Sequence, residues 1–103
     1  MPRAAPLLGC LMLVTGVVGA STPEAWSDYD KEVIAKCLAA SHLRDAHPGG
    51  QRIDFADSVG ISALFIVGHY PQPQLNNQRG RELCLFDKRS RTATVSDADA
   101  AVR

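Results

Sequence analysis

The chain has 103 residues, 46% of them apolar and 21% charged, with Lys plus Arg matching Asp plus Glu at 11 each. That length holds one domain at most and excludes a doubly wound dinucleotide fold or a TIM barrel. The apolar share excludes a disordered chain, and the charge balance argues against a coat for nucleic acid or an anionic membrane.

Residues 1–20 read as an export signal. Arg3 supplies a minimal positive start, Ala4 to Ala20 carries no charge, and Val18-Gly19-Ala20 places small residues before Ser21, where a signal peptidase cuts. Arg3 is the one charged residue of that segment, so its removal leaves 10 basic and 11 acidic groups, a formal −1. Two alternatives stand beside cleavage. Leu7-Leu8-Gly9-Cys10 has the form of a bacterial lipobox, and lipid on Cys10 would be the protein's route to a membrane. The apolar stretch ahead of Cys10 is shorter than the roughly 7–15 residues of a normal signal core. An uncleaved anchor would have to span with a 17-residue run that contains three glycines, the bottom of the spanning range. The expectation is a periplasmic or secreted protein with a signal at 1–20 and a single domain at 21–103.

Without Cys10, two cysteines remain, Cys37 and Cys84, and an even count in an oxidising compartment reads as a disulfide. It would close a loop of about 48 residues, for which chain entropy gives on the order of 4 kcal/mol.

In chain order, a helix is expected from about Trp26 to Ser41, starting at Ser27-Asp28-Tyr29-Asp30 or, as a second candidate, at Thr22-Pro23-Glu24. Trp26, Tyr29, Val33, Cys37 and Ala40 recur at helical steps and form its apolar face. Residues 41–51 read as a loop ending in His47-Pro48-Gly49-Gly50. Ile53 and Phe55 alternate with Arg52 and Asp54, the pattern of a half-buried strand, and Asp57 to Gly60 is a turn. Ile61 to Tyr70 is a β-branched and aromatic run, a central strand buried on both faces. Pro71 to Gly80 forms a polar loop, Glu82 to Asp87 a third strand, Asp87 to Ser90 a turn, and Arg91 to Ser96 a fourth strand. Residues 97–103 are expected to fray. Short connections favour an α+β fold, one helix packed on a four-stranded antiparallel meander, with the disulfide joining helix to third strand.

Strand alternation then decides the surface. If Cys84 faces the helix so does Phe86, while Leu83 and Leu85 point to the other face, which one helix cannot cover. That face is either covered by the 71–80 loop, curled into a half-barrel, or left as a ligand groove, a partner surface or a homodimer interface.

No chemistry stands out. His42, His47 and His69 match no zinc spacing, so neither a metal nor another cofactor is assigned. Ser58 and Ser62 lack a nucleophile-elbow pattern, and Asp54 and Asp57 lie three apart in a strand-turn segment, on opposite faces, as solvating groups. No catalytic residue is assigned. Arg79, Arg81, Lys88, Arg89 and Arg91 gather five cations within 13 residues, a docking site for an acidic protein or an anionic envelope component or a merely solvated hairpin tip. Tyr70 opens the uncharged, amide-rich loop, either a linker or a recognition loop. Nucleic acid is not expected, since the chain reads as exported and Tyr and Trp lie far from the cationic cluster in sequence.

Gly68-His69-Tyr70-Pro71-Gln72-Pro73 and Glu82-Leu83-Cys84-Leu85-Phe86-Asp87, with the helix cysteine, give the chain a resemblance to a group. It resembles small exported proteins of Gram-negative bacteria that carry one helix Cys, one strand Cys and a C-L-[FY]-D turn. The resemblance implies an envelope location and a paired disulfide, and no activity. The functional expectation is an exported binding module that engages a protein or anionic envelope component through Tyr70, Arg79, Arg81, Leu83, Leu85, Lys88, Arg89 and Arg91. Two alternatives are an inhibitor of an envelope hydrolase such as lysozyme, and a small enzyme using a His or a thiol.

Overall fold

The structure, a computed structural model, describes residues 22–99. The expected export signal with Cys10, its expected cleavage site before Ser21 and the expected fraying of residues 100–103 lie outside the described residues.

The helix α1 spans Pro23–Ala40. It starts at the second of the two expected sites. Thr22 is the N-cap, its hydroxyl accepting from the Ala25 N–H at 3.0 Å, with Pro23 at the first helical position and Glu24 in the first turn. The helix ends at Ser41, whose hydroxyl donates to the buried Glu82 carboxylate at 2.6 Å and accepts from the Leu43 N–H at 3.0 Å. Glu82 also accepts from the His42 N–H at 3.2 Å, so one carboxylate from the sheet holds the chain where it leaves the helix. The expected apolar face is correct at Val33 and Cys37, which are fully buried. Trp26 corrects it, being 44% exposed in the N-terminal stretch of the helix, where residues 23–28 are all exposed.

The strands are β1 Arg44–Pro48, β2 Ile53–Asp54, β3 Ile61–His69, β4 Arg79–Asp87 and β5 Thr92–Asp97. They form one antiparallel sheet in the order β1-β3-β4-β5, with β2 also pairing β3. The fold class is as expected, α+β with one helix on an antiparallel sheet, but with five strands instead of four. The extra strand is β1, inside the expected loop. Its pattern is hidden by a bulge between Arg44 and His47, where Asp45 takes φ 56°, so side-chain alternation breaks after one residue. β2 is shorter and more exposed than expected: Ile53 and Phe55 lie on the face that the helix does not cover. The chain also stays ordered past Ser96. Asp97 ends β5, and buried Ala98 donates its N–H to the Arg81 carbonyl at 2.9 Å.

The core lies between α1 and the even-numbered positions of β3 and β4. Leu64, Ile66, Cys84 and Phe86 meet Val33 and Cys37 there, and Leu43 closes one end. Gly68 and Gly80 are directly paired across β3 and β4, and side chains there would collide with Leu43 and Tyr70. The missing side chains make the hollow in which those two sit. Cys37 and Cys84 are joined as expected, with Cα atoms 5.8 Å apart.

Candidate functional site

The face of the sheet opposite the helix is built from odd positions of β3 and β4. Register places Ile53, Ala63, Leu85 and Thr94 in one row and Phe65, Leu83 and Ser96 in the next. The third row holds His47, Val67 and Arg81, and the last pairs His69 with Arg79. The face therefore runs from an apolar end to a cationic end.

Neither the 71–80 loop nor a curled sheet covers it. Leu85, in the middle of the sheet, is 42% exposed, and Ile53, Phe55 and Val59 are about half exposed at the same end. The loop's start turns to the other side: Tyr70 packs beside Gly80 and donates from its hydroxyl to Asp97 at 3.0 Å. Phe86 on the helix side of the same strand is wholly buried, so the two faces of β4 have opposite solvation.

The five clustered cations do not form one surface. Arg79 and Arg81 point to the uncovered face, where the Arg81 guanidinium sits 5.6 Å from the Phe65 ring centroid. Lys88 and Arg89 occupy the β4–β5 turn, Arg89 donating to the Ser58 carbonyl at 3.1 Å and Lys88 lying 5.6 Å from the Tyr29 ring. Arg91 takes φ 57° and is drawn to the helix, where it pairs with Glu32 while its carbonyl accepts from Lys36. Leu83, Leu85, Arg79 and Arg81 thus share a face, and Tyr70 and Arg91 do not belong to it. Among the described residues no carboxylate lies within ion-pair distance of Lys31, Arg44, Arg79, Arg81 or Arg89, whereas Lys36, Arg52, Lys88 and Arg91 are all paired.

On the helix side a polar chain escaped the reading of the sequence. The Tyr29 hydroxyl bonds to buried Ser62 at 2.7 Å, and Ser62 donates to Asp54 Oδ1 at 2.6 Å. Arg52 grips both Asp54 oxygens, at 2.7 and 3.1 Å, reaches Asp30, and lies 4.8 Å from the Tyr29 ring centroid. Asp54 is therefore a structural acceptor and not a solvating group; Asp57 is the solvated one. The available signal was the alternation of Arg52 and Asp54 on one side of the strand, which places opposite charges two residues apart.

Hydrogen bonds from Arg52 first, and from Ser62, hold the Asp54 carboxyl below the usual carboxylate range against the opposing effect of burial. A depressed acid contributes stability that is present above its unfolded value, near 4, and lost as pH falls through the folded value. The melting temperature of the native protein should therefore drop below about pH 4, and Asp54→Asn should flatten that drop while lowering the neutral-pH value. Thermal melts between pH 2 and 7 check both. The Arg52 guanidinium is shifted upward, chiefly by Asp54, and stays charged throughout that range.

Among the described residues no group of three His, Cys, Asp or Glu side chains converges to hold a metal ion, and no helix is long and apolar enough to cross a membrane. The chain matches no protein-family model, and no curated protein and no solved structure matches it.

Proposed function

We propose that the protein is an exported binding module whose uncovered sheet face docks an acidic protein surface with an apolar centre. The observation that carries this is Leu85, 42% exposed on a strand whose opposite face is sealed. Its neighbours Ile53, Phe65 and Leu83 extend the apolar patch, and Arg79 and Arg81 border it with no described carboxylate within ion-pair distance. A patch of that kind on a small domain marks an interaction site. Arg79 and Arg81 at one end of the face favour an acidic partner surface; Asp87, at the other end, is bonded by the Arg89 and Ser90 N–H groups, and Asp99 borders the same hollow as the two arginines. Export is supported by the signal-like residues 1–20 and by a disulfide of the kind that persists in oxidising compartments.

The test is site-directed photocrosslinking in the native host, with the probe at position 85 or at exposed Ala35 on the helix. The reading expects one protein adduct from position 85 and none from position 35. Arg81→Glu should weaken the adduct at least about tenfold, with the loss eased by salt, and leave the fold intact. Adducts to a second copy of the chain, to lipid, or equally from both positions would overturn the reading.

A further inference from the structure

A concave site lies on the helix side, away from the docking face. The first turns of α1 and residues 50–52 wall a cleft of about 470 Å³, within the roughly 300–1,000 Å³ typical of small-molecule sites. Buried Leu64 and half-buried Ile34 give it an apolar floor, and exposed Trp26 gives it an aromatic wall. No atom lies within 4 Å of where a side chain on Gly50 would begin, so that side is open.

The rim is polar and largely uncommitted. Neither the Ser27 hydroxyl, the Gln51 carboxamide nor the Trp26 indole N–H hydrogen-bonds to another described residue, and Asp30 spends one oxygen on Arg52. The two charges that line the cleft, Asp30 and Arg52, offset one another, with Arg52 held between Asp54 and Asp30. Its guanidinium, 5.8 Å from the Trp26 centroid, sets a positive charge beside that ring and so repels a ligand ammonium. The cleft thus offers a flat aromatic wall, an apolar floor and planar hydrogen-bonding groups without selecting for an ion.

We propose that this cleft binds a neutral saccharide, with one pyranose ring against the Trp26 indole and its hydroxyls bonded to Asp30, Gln51 and Ser27. A pyranose carries polarised C–H groups on its face, which suit the electron-rich face of an indole, and a rim of hydroxyls. Adjacent hydroxyls match the two-atom planar ends of a carboxylate and a carboxamide. The proposal uses none of the docking-face residues and stands apart from the binding-module reading.

Trp26 is the chain's single tryptophan, so its emission reports on this cleft alone. The processed, oxidised protein is titrated with glucose and N-acetylglucosamine, with citrate and choline as charged controls, following Trp26 emission and the indole N–H resonance. A saturable change with at least one sugar, in an affinity range on the order of millimolar, is the expected result. Gln51→Ala should weaken it about fivefold, the loss of one hydrogen bond, without moving the melting temperature. No saturable change with either sugar, a response to the charged compounds alone, or an unaltered titration in Gln51→Ala would overturn the proposal.

Discussion

Replacing Cys37 and Cys84 together with Ala is expected to cost about 4 kcal/mol and leave much of the population unfolded at room temperature. The bridge spans a sequence separation of 47, and a loop of that length removes on the order of 4 kcal/mol of chain entropy from the unfolded state. Its weight is large because the core is small. Seven buried residues make up the central cluster and the disulfide supplies two of them, leaving Val33, Leu43, Leu64, Ile66 and Phe86. Domains with so little interior depend on a staple. The bridge also ties α1 to the inner strand β4, the one place where a covalent bond holds the two layers together. Urea unfolding of the oxidised protein, the reduced protein and the double Ala variant separates the contributions. Oxidised and reduced forms that unfold together would show that the bridge carries no stability.

The layer arrangement was readable because its signals are local. Thr22-Pro23-Glu24 is a helix start on capping chemistry alone, and the apolar run 61–70 is too long and too β-branched for a loop. With Cys84 on the helix side, strand parity puts Phe86 on the same side and Leu83 and Leu85 on the other. What stayed hidden depends on distant partners. β1 pairs with β3 through a bulge, and a bulge erases the alternation by which a strand is recognised. Glu82 looks like a surface charge on a strand; it is buried because Ser41 and His42, some forty residues away, turn toward it. The five clustered cations are near one another in sequence, but strand alternation and the left-handed turn at Arg91 send them to different faces. The docking face was therefore legible in its apolar half and only partly in its charged half. The Trp26 cleft was hidden altogether, because the helical period alone counts Trp26 as a core residue, whereas residues 23–28 are all exposed.

Phe86→Ala is expected to cost about 3–5 kcal/mol, the range for deleting a fully buried aromatic side chain. Phe86 is completely inaccessible and meets the Tyr29 ring edge-on at 5.8 Å, a geometry that adds roughly 0.5–1.5 kcal/mol to simple burial. The cavity would open beside the Tyr29–Ser62–Asp54 chain, so the loss should reach the polar network and make Asp54→Asn non-additive with it. The adjacent residue gives the control. Leu85→Ala changes the same strand one position earlier on the uncovered face, and its cost should stay under about 1 kcal/mol. The two changes together measure how unequally the sheet is covered. Comparable costs for both would mean that the face bearing Leu85 is already buried in solution, most simply against a second copy, and the docking reading would fall with that result. A large cost at Phe86 and a small one at Leu85 leaves an apolar strand face that the fold itself does not need. Such a face is free to be used by a partner.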